Sequence, residues 1–141
     1  VAYDIIQLQN KNKNAGSGMI GELETEMDTV EFLQFLKDTF KCGIIKHTQL
    51  INSKVKKIAW CGGSGSFLLK NAKQQHADIF ITGDFKYHEF FDAENQTIIA
   101  DIGHFESEQF TIELISELLS KKFIKFAPCL TAINTNPVKY F

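Results

Sequence analysis

The second half of the chain alternates short apolar segments with helical ones, and this alternation constrains the fold more than any other feature. Within each apolar segment, hydrophobic residues stand at consecutive positions, which is typical of a strand covered on both faces. We predict four such strands, at residues 57–61, 78–82, 97–102 and 124–127. The pattern indicates a layered α/β fold, with a mostly parallel sheet and helices on both of its faces.

The first half of the chain contains one helix with a clear start. Asp28 stands at the N-cap position, and Met27 and Phe32 are spaced around it as a hydrophobic staple. Apolar residues then recur at spacings of three and four, which predicts a helix that ends shortly before Gly43. A short strand is expected before this helix, and the composition of residues 44–50 predicts another strand after it.

A polar, glycine-bearing stretch, QNKNKNAGSG, separates the first residues from the rest. It is poor in residues that a core needs, so we expect an exposed connection there. Residues 1–16 would then be the end of a preceding module with its linker, and residues 17–141 would form the main lobe. Because the chain starts with Val1 rather than Met, we expect it to be a piece of a longer polypeptide.

Composition argues against several classes of protein. The net charge is −2 and all 15 basic residues are lysines, so the chain has no arginine fork for phosphate or guanine, which disfavours nucleic-acid partners. No apolar run approaches the roughly 20 residues that cross a bilayer, so we expect no membrane partner. The cysteines Cys42, Cys61 and Cys129 are odd in number, widely separated and embedded in apolar surroundings, which favours buried, unpaired thiols in the cytoplasm.

Three of the predicted strands end in polar turns that contain glycine. GGSGS follows Cys61, TGDFKYH follows Ile81 and GHFESE follows Ile102. If these strands are parallel, the three turns lie at the same edge of the sheet. That edge, at the carboxyl ends of the strands, is where α/β sheets bind their ligands.

The first turn has two interpretations. The backbone amides of Gly63, Ser64, Gly65 and Ser66 could form an anion site at a helix N-terminus. Alternatively, the segment is a tight strand-to-helix turn in which Ser64 or Ser66 caps the helix. Its spacing matches neither a dinucleotide-binding fingerprint nor a P-loop, so both interpretations stay open.

The second turn concentrates chemically useful side chains within a few residues. An acid at a strand end, followed by a lysine and a histidine, can serve as ligand, general acid or electrostatic clamp. In the alternative, Asp84 caps the next helix, and Tyr87 and His88 lie partly buried on that helix. The residues concerned are Thr82, Asp84, Lys86, Tyr87 and His88.

The third turn gives the sharpest prediction. His104 and Glu108 are four residues apart, so on a helix they share one face. At that separation an imidazole nitrogen and a carboxylate oxygen can bind one divalent ion at about 2.0–2.2 Å, although two ligands alone hold a metal poorly. Phe105 and Phe110 are expected to pack inward, whereas Glu106 is expected to stay on the polar side.

Four segments together resemble a known family: KIAWCGGSGSFL, ADIFITGDFKYHEFFDA, IADIGHFESEQF and the closing NTNPVKYF. In this order, over roughly residues 17–141, they are similar to the C-terminal half of the Nif-three-like family, whose members are called GTP cyclohydrolase 1 type 2 homologues. The opening VAYDIIQLQN and the later GMIGEL resemble the exit from the domain that longer members insert between their halves. Residues 1–16 would then end that inserted domain.

The resemblance implies a two-lobed α/β protein that forms a hexameric ring and binds two divalent metal ions, Zn, Fe or Mn, per full-length subunit. It implies that His104 and Glu108 are metal ligands, and that a histidine pair and an aspartate of the N-terminal lobe supply the others. No such histidine pair is present here, so we expect weak or absent metal binding by these 141 residues alone. The residues implied to line the same cleft are Thr82, Asp84, Lys86, Tyr87 and His88.

Three functions stay open at this point. The first is a metal-dependent, hydrolase-like enzyme for an unknown small molecule, in which Asp84 or His88 shuttles a proton and the amides of residues 63–66 hold an anionic group. The second is a non-catalytic, ring-forming interaction module with a structural metal. The third, which does not depend on the resemblance, is a flavodoxin-like domain that binds a phosphate at the glycine-rich turn.

Overall fold

The structure is a computed structural model that describes residues 3–7 and 16–141. Its strands and α-helices, in chain order, are β1 (Tyr3–Gln7), β2 (Gly16–Asp28), α1 (Thr29–Phe40), β3 (Lys46–His47), β4 (Lys54–Ser64), α2 (Leu69–Gln74), β5 (Ile79–Gly83), β6 (Ile98–Asp101), α3 (His104–Glu108) and α4 (Thr111–Lys122). Two 3-10 helices, Ser66–Leu68 and Tyr87–Ala93, precede α2 and β6 respectively.

The described strands form one sheet in the order β1-β2-β4-β5-β6-β3. Its central strands, β4, β5 and β6, are parallel, and β1, β2 and β3 flank them in antiparallel pairings. The predicted strands at residues 57–61, 78–82 and 97–102 correspond to these three central strands. The layered α/β class is therefore confirmed, and its parallel part is the centre of the sheet.

Consecutive residues of the central strands pack on opposite faces of the sheet. On one face, Ile79 and Ile81 of β5 join Phe32 of α1 in a buried cluster. On the other face, Phe80 of β5 joins Ala72 of α2 in a second cluster. Burial on both faces explains why each central strand is apolar at successive positions, as the sequence pattern predicted.

Helix α1 starts as its sequence predicts. The carboxylate of Asp28 accepts hydrogen bonds from the amides of Val30, at 2.9 Å, and Glu31, at 3.2 Å, and so satisfies donors that a helix start leaves unpaired. The helix ends at Phe40, and the residue in the left-handed conformation is Lys41, with φ 52°, two residues before the predicted Gly43.

Two strand predictions need correction. Residues 44–50 contribute only the two residues of β3, which pair with Asp101 and Ala100 of β6. Residues 124–127 form no strand, and Ile124 is 93% exposed. Both segments have strand-like composition, but composition alone does not determine whether a segment pairs with a neighbouring strand.

The chain divides into two compact units, Val1–Ser107 and Glu108–Phe141. The sheet, α1 and α2 belong to the first unit, and α4 belongs to the second. That residues 1–16 end a preceding module stays a prediction, because most of the connecting segment lies outside the described residues. In the described ranges, no helix combines the length and the apolar character that a membrane span requires; the cytoplasmic location stays a prediction.

Candidate functional site

The polar turns after β4, β5 and β6 lie at one edge of the sheet. The parallel pairing brings Ser64 beside Gly83 and Thr82 beside Asp101, and this confirms the expectation that the strand ends open on the same side. Hydrogen bonds also join the turns, because the buried hydroxyl of Thr82 donates to the carbonyl oxygen of Gly63 at 3.0 Å. We call this region the strand-end edge.

The turn after β6 is tied to the turn after β4. The amide of Gly63 donates to the hydroxyl oxygen of Ser107 at 2.7 Å, and that hydroxyl donates to the carbonyl oxygen of His104 at 2.8 Å. Gly63 has φ 64°, a left-handed conformation that favours glycine. The hydroxyl of Ser107 therefore ties the start of α3 to the turn after β4.

Asp84 and His104 are in direct contact at the strand-end edge. Oδ2 of Asp84 lies 2.5 Å from Nδ1 of His104, and the two side chains are 52% and 49% exposed. A carboxylate on one ring nitrogen fixes the orientation of an imidazole and selects the nitrogen that binds a metal or carries a proton. The alternative in which Asp84 caps the next helix is wrong, because Lys86 is the N-cap of the 3-10 helix Tyr87–Ala93.

The backbone conformation of Asp84 helps to bring its carboxylate to His104. Its φ is 58°, a left-handed conformation that only glycine, asparagine and aspartate adopt routinely. The conformation lets the chain turn sharply after β5, so the carboxylate meets His104 before the chain enters the 3-10 helix.

Asp101 is a residue of the strand-end edge that the sequence analysis did not select. It is 2% exposed, and its carboxylate lies 2.6 Å from Nζ of Lys46. It also accepts hydrogen bonds from the amides of Phe85, at 3.1 Å, and Gly103, at 3.0 Å. One buried carboxylate thus holds β3, the turn after β5 and the turn after β6. The sequence feature that could have identified it is the presence of an acid inside the apolar run IIADI.

Two glycines of the edge are needed for close packing. A Cβ on Gly83 would lie 2.7 Å from the backbone nitrogen of His104, so the start of α3 rests directly on the end of β5. A Cβ on Gly65 would lie 2.5 Å from Oγ1 of Thr82 and 2.7 Å from Cβ of Cys61. Close approach of neighbouring segments therefore explains both glycines without a ligand.

The capping interpretation of GGSGS is wrong. Strand β4 continues to Ser64, and the 3-10 helix after it has Gly65 at its N-cap, without a side-chain cap. The hydroxyl of Ser66 instead donates to Oε1 of Glu89 at 3.1 Å. The anion-binding role of residues 63–66 stays a prediction, and the amide of Gly63 already donates to Ser107.

The remaining residues of the TGDFKYH turn lie on the surface. Tyr87 is 75% exposed and its ring contacts that of His88, with 5.3 Å between the centroids. Since both residues are exposed, the alternative in which they are partly buried is wrong. Tyr87 lines a cavity together with Lys46 and Phe90, whereas the amide of Lys86 donates to Glu89 at 2.8 Å. The catalytic and binding roles of Lys86, Tyr87 and His88 stay predictions.

Glu106 was expected on the polar side of α3, but the structure buries it. It is 7% exposed, and its carboxylate occupies the space where a Cβ on Gly103 would lie, so Gly103, with φ 95°, must be glycine. Burial and the negative charge of Glu106 raise the pKa of the Cys42 thiol to about 11. Glu108 is exposed and begins the second unit.

The donor types at the edge suit a divalent metal, but their number is too small. An imidazole and carboxylates are common ligands of Zn, Fe and Mn. Within residues 3–7 and 16–141, no group of three or more His, Cys, Asp or Glu side chains is placed to hold an ion. The residues present fit part of a metal site, and further ligands would have to come from outside the described chain.

Comparison with known proteins identifies the family of the chain. The family described as Duf34/NIF3 (NGG1p interacting factor 3) matches residues 1–137. A Staphylococcus epidermidis protein named GTP cyclohydrolase 1 type 2 homolog is 37% identical over 143 aligned positions, covering 98% of this chain. A Bacillus subtilis protein of the same name is 34% identical over 128 positions, covering 87% of this chain.

Solved structures agree with the sequence relatives. A Bacillus cereus protein related to NIF3 superimposes with a TM-score of 0.76 at 28% identity, covering 95% of this chain and 38% of that protein. The chain likewise spans 38% of the length of the Staphylococcus epidermidis relative and 34% of the Bacillus subtilis one. The chain belongs to the Duf34/NIF3 family.

Proposed function

We propose that the protein containing this chain binds divalent metal ions at the strand-end edge and is a hydrolase-like enzyme acting on an unidentified small molecule. The observation that carries the proposal is the contact between Asp84 and His104, 2.5 Å long and about half exposed. A paired imidazole and carboxylate that stay accessible at the carboxyl ends of parallel strands are typical of a site that performs chemistry. The relatives' name, GTP cyclohydrolase 1 type 2 homolog, favours a nucleotide-like substrate.

In this proposal His104 is a metal ligand. Since Asp84 holds Nδ1, the metal would be bound through Nε2, in the common arrangement of carboxylate, histidine and metal. Glu108, the last residue of α3, is the second proposed ligand of this chain. The remaining ligands of a two-ion site would come from the part of the protein outside this chain, so the isolated chain would bind metal weakly.

The bound metal would lower the pKa of a coordinated water toward neutrality. The residues of this chain would position the metal ion and the substrate. Asp84 keeps the His104 imidazole in one orientation, and Thr82, buried and bonded to Gly63, keeps the neighbouring turn in place. His88, exposed beside Tyr87, is the candidate that carries a proton between substrate and solvent, and the amides of residues 63–66 are candidates for an anionic substrate group.

Elemental analysis of the complete protein tests the metal proposal. We expect His104→Ala to lose most of its bound Zn, Fe or Mn after dialysis, and Glu108→Gln to lose part of it. His76→Asn is the matched control, since His76 is an exposed histidine with φ 56°, a conformation that asparagine tolerates. Metal content that is equal in His104→Ala and in the control would refute the proposal.

A ring-forming interaction module is the second candidate. It is supported by large aromatic side chains that the first unit exposes: Phe67 at 64%, Tyr87 at 75% and Phe91 at 67%. Such exposed groups are common at protein interfaces. The two candidates differ in turnover: metal-dependent hydrolysis that Glu108→Gln abolishes favours the enzyme, whereas an intact hexamer without turnover favours the module.

A further inference from the structure

A separate cavity of about 570 Å³ lies in the first unit, on the β3 side of the sheet. Its size falls in the range of small-molecule sites, roughly 300–1,000 Å³. Neither Asp84 nor His104 lines it. The lining residues that matter here are Lys46, Tyr87, Phe90, Phe91, Asn95 and Thr97.

Thr97 gives this cavity an unsatisfied polar group. Thr97 is 1% exposed, and its Oγ1 is buried without a hydrogen-bond partner, the one such side-chain atom among the described residues. Buried hydroxyls in folded proteins are almost always hydrogen-bonded, to protein or to a bound molecule. Since Thr97 lines the cavity, its hydroxyl is the candidate hydrogen-bonding group for a molecule bound there.

Aromatic side chains form much of the cavity wall. The rings of Tyr87 and Phe91 meet edge to face, with 5.6 Å between centroids and 78° between planes, and both side chains are mostly exposed. Phe90 is anchored to the buried Phe85, with 5.4 Å between centroids. A wall of two exposed rings and one anchored ring suits a flat, aromatic ligand.

The charges near the cavity are already paired. Lys46 lies 2.6 Å from the buried carboxylate of Asp101, and Glu94 lies 2.5 Å from Lys73. A phosphate or carboxylate ligand would have to compete with Asp101 for the ammonium group. A neutral ligand avoids that competition.

We infer that this cavity binds a neutral ligand of nucleoside size. Its flat heteroaromatic ring packs against Tyr87, Phe90 and Phe91 and hydrogen-bonds to Thr97. The inference does not depend on the proposed metal site, because no residue of the argument is a proposed metal ligand. Lys46 nevertheless connects the two regions, since Asp101 binds Lys46 and also the amide of Gly103 beside His104.

Calorimetric titration of the intact protein with adenosine and with guanosine tests the inference, with ribose as the control that lacks the heteroaromatic base. We expect at least one nucleoside to bind, and ribose not to bind at the same concentrations. Thr97→Val, which keeps the shape but removes the hydroxyl, should weaken binding about tenfold. Tyr87→Ala should weaken it as well, and Thr39→Val, an exposed threonine of α1, should bind normally.

Stability separates a binding role of Thr97 from a structural one. If the hydroxyl serves a ligand, Thr97→Val should unfold at the same or a higher temperature than the ligand-free wild type, because it removes an unsatisfied buried group. Absence of binding by both nucleosides, or equal affinity in the wild type and Thr97→Val, would overturn the inference. Protection of Tyr87 from hydroxyl-radical labelling before any nucleoside is added would overturn it too, because another part of the protein would then cover the cavity.

Discussion

Asp84 and Asp101 stand at the ends of neighbouring parallel strands, and the structure uses them in opposite ways. Asp84 comes directly after β5, has a side chain that is 52% exposed and contacts the equally accessible His104. Asp101 is the last residue of β6, is 2% exposed and is held by Lys46 and two backbone amides. At one edge of the sheet, the same residue type is thus accessible to water at one strand end, where we propose a role in chemistry, and is buried at the other, where it holds the fold together.

The physical reason lies in what replaces water around each carboxylate. A buried carboxylate must receive charge-assisted hydrogen bonds from the protein, so its neighbours depend on it. A half-exposed carboxylate remains hydrated, and its contact with an imidazole adds little to stability. Substitution of Asp101 should therefore be seen in folding, and substitution of Asp84 in metal binding or activity.

The largest effect is expected from Asp101→Ala. The substitution leaves the buried amide of Phe85 and the part-buried amide of Gly103 without their acceptor and removes the partner of Lys46, which should lower the free energy of unfolding by about 3 kcal/mol. Urea unfolding followed by circular dichroism measures it. Asp101→Asn keeps one acceptor oxygen and should cost less; a loss below about 1 kcal/mol for Asp101→Ala would contradict the architectural role.

Glu106 extends the comparison to a third acid of the edge, buried like Asp101. Burial and the charge of Glu106 raise the pKa of Cys42 from 9.0 to about 11. At pH 8 the thiolate fraction of Cys42 should then be about a hundredfold lower than that of an ordinary cysteine, since each pKa unit is a factor of ten. The prediction of three buried thiols holds for Cys42 but is wrong for Cys129, which is exposed. Iodoacetamide labelling with mass spectrometry should therefore modify Cys129 long before Cys42.

Two further measurements separate the charge of Glu106 from simple inaccessibility of the thiol. Glu106→Gln should move the pH profile of Cys42 alkylation to lower pH, and an unchanged profile would contradict the role of the charge. The pKa of Cys42 is higher in the folded than in the unfolded state, so the protonated thiol contributes to the free energy of unfolding. This contribution is present below pH 9 and is lost as pH rises toward 11. Cys42→Ala should remove that part of the pH dependence.

The sequence predicted those parts of the fold that local pattern determines. The apolar runs at residues 57–61, 78–82 and 97–102 are buried or half-buried on both faces of the sheet, and consecutive hydrophobic positions predicted this directly. The Asp28 cap is equally local, since donor and acceptor lie within three residues. The strand-end edge followed from these strands, because parallel strands place their ends together.

The errors concern features that depend on distant residues. Residues 124–127 have the composition of a strand, but composition does not report whether a partner strand is available. Asp101 was passed over because its partners, Lys46 and the amide of Phe85, are brought to it only by the sheet. Glu106 was placed on the polar side by helical spacing, whereas packing over Gly103 buries it.

A smaller effect is expected from Gly83→Ala at the contact between β5 and α3. Since a Cβ there would lie 2.7 Å from the nitrogen of His104, the backbone of the edge must shift, at a cost of about 2 kcal/mol. Gly62→Ala is the control, because Gly62 is an exposed residue of β4. Thermal unfolding of both variants measures the difference, and equal melting temperatures would mean that α3 does not rest on β5 as described.

The smallest effect on stability, and the sharpest test of the comparison, is expected from Asp84→Gly. Glycine adopts φ 58° without strain, which offsets the lost contact with His104, so the free energy of unfolding should change by less than about 1 kcal/mol. The orientation of His104 should nevertheless be lost, because no carboxylate then holds Nδ1. Nitrogen chemical shifts of the imidazole should show a mixture of tautomers in the variant and one tautomer in the wild type. A variant that is strongly destabilised would place Asp84 with Asp101 among the residues that hold the fold, and the distinction between exposed and buried carboxylates at this edge would fail.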